Sequence, residues 1–240
     1  MYEDRSYRHL IKENDLVSFT VTVKETDLFI CAERDLSAEA VQSIEEYRRP
    51  LEKYIQLNPL FMHSLEPLGV EADAADIVRI MSAAGQLAGV GPMASVAGVM
   101  SEMVGKKLLQ FSHQIIVENG GDIFLQTDRK RLIGIYAGKS PFSGKLALEV
   151  LPEMMPVGIC TSSGTVGPSL SLGLADAAIV LSHSAALADA AATAVGNVVK
   201  SEDDIQAALE YGQQIEGILG IVVIKGDRMG AWGEISLIKT

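Results

Sequence analysis

Asp189 and Thr193 stand four residues apart in the stretch SAALADAAATAVGN, Ser184 to Asn197. If that stretch is helical, positions i and i+4 share a face and both oxygens can aim at one point. Oxygen donors alone suit a hard cation such as Mg²⁺, which fills its remaining positions with water or phosphate oxygens. The same residues have a metal-free alternative, in which Thr193 bonds back to the carbonyl of Asp189 and Asp189 pairs with a distant arginine or backbone amide. A second acid, Asp122, ends the segment Glu118-Asn119-Gly120-Gly121-Asp122. Asn-Gly is a strong hairpin signal, and two glycines before the acid leave bare backbone where a ligand or cation can come close. The third chemical segment is Thr161-Ser162-Ser163-Gly164, where a strand breaks into a hydroxyl-rich loop. These hydroxyls could bind phosphate or orient a substrate; they could equally cap one another in a turn. His183 could act as a general base for a nearby hydroxyl, but its spacing fixes no partner for it.

Other motifs fail their context tests. Gly89-Val90-Gly91-Pro92-Met93-Ala94 resembles a dinucleotide fingerprint yet follows a helical pattern instead of a strand. Gly134 to Ser140 imitates a phosphate loop but has three residues between its glycines, and Pro141 and Gly144 interrupt any helix after it. A serine-hydrolase elbow needs glycine two places before the nucleophile, where Cys160 precedes Ser162 and Thr161 precedes Ser163. The small residues Ala94, Ser95, Ala97 and Gly98 open a helix from Pro92 to about Leu109, and free amides there could face an anion. Close helix packing accounts for them equally well. His9 and His63 have no ligand partners nearby in sequence.

The elements that must position these groups follow from periodicity. Two β-rich runs between Leu16 and Ala32 flank a turn at Lys24 to Asp27 and predict a hairpin. Leu36 to Leu57 predicts a helix with Ser37 as cap, halted at Asn58-Pro59. A loop runs to Gly69, and Asp73 to Ala88 predicts a second helix. Strands are predicted at Gln114–Val117, Ile123–Gln126, Lys145–Val150 and Ala177–Leu181, and Gly158 to Thr165 reads as a strand end breaking into the hydroxyl-rich loop. Ser184 is a natural N-cap for the alanine helix. A helix capped by Ser201 then runs to Gln213, and strands at Ile218–Lys225, Met229–Trp232 and Glu234–Ile238 close the chain.

The 240 residues suffice for one large domain or two small ones. They are 48% hydrophobic but only 5% aromatic, so the core is built of Ala, Val, Ile and Leu. A formal net charge of -11 argues against nucleic acid or an anionic membrane as partner. Asp128-Arg129-Lys130-Arg131 is the sole basic cluster and is expected to be a solvated turn, with contact to a phosphate as the alternative. Cys31 and Cys160 form neither a disulfide framework nor a metal set. The polar opening MYEDRSYRHL is no signal peptide, and no apolar run reaches the ~18 residues of a membrane span. A cytoplasmic protein is expected.

Three pieces in this order resemble one family: Gly120-Gly121-Asp122, Thr161 to Gly164, and Ala-Asp-x-x-x-Thr-Ala at Ala188 to Ala194. The chain is similar to the ApbE-like flavin transferases, which move the FMN half of FAD onto a protein hydroxyl with Mg²⁺, and within them to a small cytoplasmic branch. The likeness is strong from about Gly91 to Asn197, weaker to Thr240 and scarcely visible before Glu71. It implies an α+β fold of the tunnelling (T-fold) type, antiparallel sheet packed against long helices. It further implies one domain, with two intertwined halves near 1–110 and 111–240 as an option. By resemblance Asp189 and Thr193 are Mg²⁺ ligands, and Gly120, Gly121, Asp122 and Thr161 to Gly164 line a nucleotide cleft for FAD or FMN. Asp122, Ser162 and His183 are the catalytic candidates, and the partners are a small-molecule nucleotide or an acceptor protein, with homo-oligomerisation open. Two segments depart from the family pattern: Gly91-Pro92-Met93-Ala94 replaces a lysine-glycine segment, and Thr165 to Leu174 lacks a histidine-aspartate-proline-threonine-glycine loop. The alternative function is a non-flavin partner or carrier in sulfur incorporation into homocysteine, with Cys160 as the residue that could take part.

Overall fold

The computed structural model describes residues 11–12, 15–165 and 171–240. His9 and the 166–170 part of the hydroxyl-rich loop lie outside them. The chain opens with β1 (Ile11–Lys12), the hairpin β2 (Val17–Val23) and β3 (Thr26–Ala32), and helix α1 (Ser37–Leu57). One turn of helix, α2 (Leu60–His63), leads to α3 (Asp76–Ala88) and, through a 3-10 turn at Pro92–Ser95, to α4 (Val96–Leu108). Strands β4 (Ile115–Asn119), β5 (Asp122–Gln126), β6 (Arg131–Gly134), β7 (Leu146–Val150), β8 (Val157–Ser162) and β9 (Ala177–Ser182) follow. Helices α5 (Ala185–Val198) and α6 (Ile205–Gln213) precede β10 (Ile218–Lys225), β11 (Arg228–Gly233) and β12 (Leu237–Lys239).

Eight strands form one antiparallel sheet in the order β11-β10-β9-β8-β5-β4-β3-β2, and four form a second, β1-β6-β7-β12. Side chains alternate across a strand, so each strand of the large sheet serves two cores. Ile30, Val117, Phe124, Cys160 and Val180 face the helices. Cys31, Ile116, Ile123, Leu125, Ile159 and Ile179 face the small sheet, where Ile133, Leu148 and Val150 meet them. The protein is therefore α+β, in three layers of helices, large sheet and small sheet. Along the chain, two strands, helices and two strands occur twice, at 17–126 and at 157–233.

Several local expectations hold and some need correction. Gly89 ends α3 in the left-handed region at φ 72, as a glycine C-cap should. Ser37 is the first residue of α1 and not its cap: Leu36 holds the N-cap position without a side-chain bond, and Asp35 just before it accepts both the Ser37 amide, at 2.8 Å, and the Ser37 hydroxyl on its Oδ1. The basic cluster is only partly solvated, because Arg131 is 4% exposed and donates to Asp15, Gln114 and Thr127. It opens β6, a strand too short to leave a periodic signal. Among the described residues no single helix is long and apolar enough to cross a membrane; α3 and the 92–108 segment pass together but are bent by 103°.

Candidate functional site

The alanine helix is where backbone must approach backbone. α5 begins directly over β8: a Cβ added to Gly158 would lie 2.3 Å from the Cα of Ala185. Further along the helix, Gly196 lies over the other end of the same strand, where an added Cβ would be 3.5 Å from Ser162 Oγ. Its buried residues are alanine, valine and leucine side chains, with Gly196, set against the sheet and neighbouring helices. Ser184 caps it as expected, its hydroxyl accepting the Leu187 amide at 3.3 Å. Asp189 and Thr193 sit on the intermediate turns, between these two anchor points.

Asp189 reaches across to α4. Its Oδ2 accepts the Gly98 amide at 2.8 Å, and the Ala97 amide bonds it too. Both amides belong to the first turn of α4, where unpaired N–H groups and the helix dipole favour an anion. The anion anticipated for this helix end is thus a side chain of the protein itself. Close packing contributes as well, because a Cβ at Gly98 would stand 2.3 Å from the Ala185 carbonyl oxygen and 2.7 Å from Asp189 Cβ. α4 returns the contact. Glu102, buried on α4, accepts the Ser184 hydroxyl at 3.0 Å and the Ala186 amide at 3.1 Å, and also pairs with Lys106. Each helix carries the carboxylate that holds the start of the other.

Asp122 comes from the opposite side. Gly120 and Gly121, at φ 67 and φ 105, make the two-residue turn between the paired residues Asn119 and Asp122, a conformation that excludes ordinary side chains. The Gly121 amide is held by Glu118 at 2.7 Å, and Asn119 Nδ2 donates to the Ala97 carbonyl at 3.1 Å, tying the turn to the start of α4. Alternation then points Asp122 with Phe124 toward the helices. Asp122 is 6% exposed, and its Oδ1 accepts the Thr161 amide at 3.2 Å.

These contacts bring two carboxylates together, Asp122 buried and Asp189 half-buried. Burial raises the pKa of Asp189 from 3.8 to about 7 despite the two amides that oppose it. Burial and, next, the charge of Asp189 raise that of Asp122 well above the usual carboxylate range. Both shifts follow from removing charge from water without a counter-charge. Thr193 Oγ1 has no hydrogen-bond partner among the described residues, so the back-bond to Asp189 is not made. Two carboxylates and a spare hydroxyl are all-oxygen donors that fit a hard divalent cation, which would relieve the charge repulsion. Among the described residues no group of three or more His, Cys, Asp or Glu side chains could hold a metal. A cation here would therefore complete its shell with backbone oxygens, water or ligand phosphate.

The hydroxyl segment lies beside this pair, at the end of β8. Thr161, Ser162 and Ser163 are half-buried and Gly164 is exposed. Gly164 donates to the Ala175 carbonyl at 2.9 Å, and no side chain fits there because a Cβ would be 2.1 Å from the Gly173 carbonyl oxygen. Thr165 donates through its hydroxyl to Asp176, which also accepts the Gly226 amide. His183 is not brought to the site. It is exposed beyond the end of β9, with Nδ1 3.0 Å from the Pro156 carbonyl oxygen. Ser182 pairs with Gly158, four residues before Ser162, or about 13 Å along the strand. Cys160 is at the centre but fully buried, its thiol within reach of the Ala185 carbonyl at 3.3 Å and of Asp122. Burial first, then the charges of Asp122 and Asp189, push its pKa well up, which is the setting of an inert thiol. Sequence reading missed Glu102, since a lone acid on a helix gives no sign of a partner far along the chain, and it gave Glu118 and Asn119 no role of their own. Glu118 and Asn119 did stand inside the glycine turn motif.

Known proteins agree with this architecture. The family model described as AbpE bacteria matches residues 8–234. The UPF0280 protein MJ1526 of Methanocaldococcus jannaschii is 43% identical over 227 residues, 92% of each chain. A UPF0280 protein of Methanosarcina acetivorans is 41% identical over 216 residues, 89% of this chain and 85% of its own. Among solved structures, the apo form of the Pseudomonas stutzeri flavinyl transferase ApbE overlays with a TM-score of 0.59 at 16% identity, covering 92% of this chain and 94% of that one. The flavin transferase ApbE of Vibrio cholerae gives 0.57 at 15%, covering 94% and 97%. At such identities the overlays speak for the fold alone. With nearly its whole length matched by the family model and by relatives above 40% identity, the chain belongs to the UPF0280 (AbpE bacteria) family, and it shares the fold of the ApbE flavin transferases.

Proposed function

We propose that Gly120–Asp122, Thr161–Gly164, Asp189 and Thr193 together form a site that binds a flavin or related phosphate-bearing nucleotide with Mg²⁺, as a transferase of the ApbE-like kind. The observation that carries this reading is the pair of carboxylates, Asp122 buried and Asp189 partly buried, both raised in pKa and neither paired with a basic side chain among the described residues. When bound, Mg²⁺ would neutralise diphosphate charge. Asp189 and Thr193 would hold it, with Asp189 kept in place by the α4 amides. Asp122 would orient an accepting hydroxyl and take its proton. The backbone at Gly120 and Gly121 leaves room for a ligand, and Thr161 to Ser163 offer hydroxyls to its polar groups. His183 has no part in this scheme. The names of the structural neighbours, which describe flavin transferases, favour the flavin class. The repeated order of two strands, helices and two strands supports one domain of the tunnelling-fold type with two like halves.

The test is titration of the purified protein with FAD, FMN and ADP, each with and without Mg²⁺, for wild type and Asp189→Ala. Binding that needs both metal and Asp189 supports the proposal. Nucleotide binding unchanged by the substitution or by chelator sinks it. Cys160, buried and inert, gives no support to a role in sulfur chemistry.

A further inference from the structure

The two edges of the large sheet are built differently. β11 is blunted, with Arg228 at its start in ion pairs to Glu202 and Asp203. Gly233, at φ 83, ends it, and the chain turns back as Glu234 donates to the Leu219 carbonyl. Among the described residues β2 has no such guard. Its seven residues, Val-Ser-Phe-Thr-Val-Thr-Val, contain no charge, proline or glycine, and pair with β3 from Val17 to Val23 without a register shift. A long uncharged edge is a template for another strand.

The outward groups follow from the register. A two-residue loop joins Val23 and Thr26, and such a loop closes on a hydrogen-bonded pair. Val23, Val21, Phe19 and Val17 therefore spend their backbone groups on β3. Ser18, Thr20 and Thr22 turn theirs outward. Their side chains lie exposed on one face, while Phe19, Val21 and Val23 pack toward the helices.

We propose that β2 pairs antiparallel with β2 of a second copy of this chain, about a two-fold axis at Thr20, joining two large sheets into one. The sequence is self-complementary in that register: Thr20 meets Thr20, Ser18 meets Thr22, Phe19 meets Val21 and Val17 meets Val23. Every hydrogen-bonded pair then carries two hydroxyl residues and every other pair two apolar ones, including an aromatic with a β-branched residue, combinations that favour pairing. At the ends Glu25 would arrive opposite Asp15, two acids that each already have arginine partners, Glu25 with Arg48 and Asp15 with Arg131 and Arg129, so no unpaired like charges meet. This inference is independent of the proposed nucleotide site.

The experiment is sedimentation equilibrium of the full chain over micromolar to hundred-micromolar concentration, with oxidative cross-linking of Thr20→Cys and Ser18→Cys. In a hydrogen-bonded antiparallel pair the two Thr20 Cα atoms stand about 5.5 Å apart, inside disulfide range. Ser18 has Thr22 opposite it. The expected result is a wild-type dimer, a Thr20→Cys chain that forms a disulfide-linked dimer on mild oxidation, and a Ser18→Cys chain that does not. Cys31 and Cys160 are buried and stay silent. Thr20→Lys, which sets two like charges face to face, should give a monomer with an unchanged far-UV spectrum. A wild-type monomer at every concentration, a dimer in which Thr20→Cys fails to cross-link, or equal cross-linking of Ser18→Cys would overturn the proposal.

Discussion

Replacing Asp189 with asparagine should make the metal-free protein more stable at neutral pH. In the folded chain Asp189 holds its proton up to pH about 7, against 3.8 for an ordinary carboxyl. Between those two values the folded state binds a proton that the unfolded state has lost, so stability falls as pH rises. The slope for one proton is about 1.4 kcal/mol per pH unit. From pH 5 to pH 7 the wild type therefore loses roughly 2–3 kcal/mol through this group, and Asp122, shifted the same way, adds to the loss. The substituted amide would still accept the Gly98 N–H through its carbonyl oxygen, but it has nothing to ionise, and Asp122 loses its main opposing charge. Groups with lowered pKa values, such as Asp15, Asp35 and Asp204, stabilise with the opposite sign at lower pH and cancel between the two proteins. The assay is urea unfolding at pH 4, 5, 6, 7 and 8 in chelator, repeated with millimolar Mg²⁺. Near pH 4 the two proteins should agree; by pH 7 the variant should lead by on the order of 2–4 kcal/mol. Mg²⁺ should stabilise wild type, more so at higher pH because it competes with protons, and leave the variant unmoved. Parallel pH profiles, or a variant that gains as much from Mg²⁺ as the wild type, would refute the reasoning.

Other substitutions test the framework of the site. Gly98→Ala forces a methyl into the Ala185 carbonyl and Asp189 Cβ; overpacking of this kind costs about 1–3 kcal/mol, and Mg²⁺ affinity should fall at least tenfold, read by calorimetry. Glu102→Gln removes a charge that holds the Ser184 hydroxyl and Ala186 amide, so thermal unfolding should show a loss of about 1–2 kcal/mol. His183→Ala should leave nucleotide affinity within twofold of wild type, because the imidazole sits at the far end of β8. Cys160 should react with a thiol reagent only as fast as the protein opens globally; burst labelling in the native state would contradict its burial.

Within the sequence, local signals carried most of the elements. Ser184 and the alanine run fixed α5, i and i+4 spacing placed Asp189 and Thr193 on one face, and Asn119-Gly120-Gly121 placed Asp122 at the head of a strand. Even the anion site at the start of α4 was legible from Ala94 to Gly98. What these signals lack is any reference to distance between elements. Asp122 and Asp189 lie far apart along the chain, and their meeting depends on β5 pairing with β8 and on α5 lying along β8, a choice made by the register of the sheet and the close approach that Gly98 and Gly158 permit. The same holds for Arg131, legible as a surface charge and buried by its pairing with Asp15, and for Ser37, which opens α1 after Leu36 and gives its hydroxyl to Asp35. Spacing along the chain determined which side chains share a face. Only the packing of the helices on the sheet decided which faces share a site, and the raised pKa values exist because that packing excludes water.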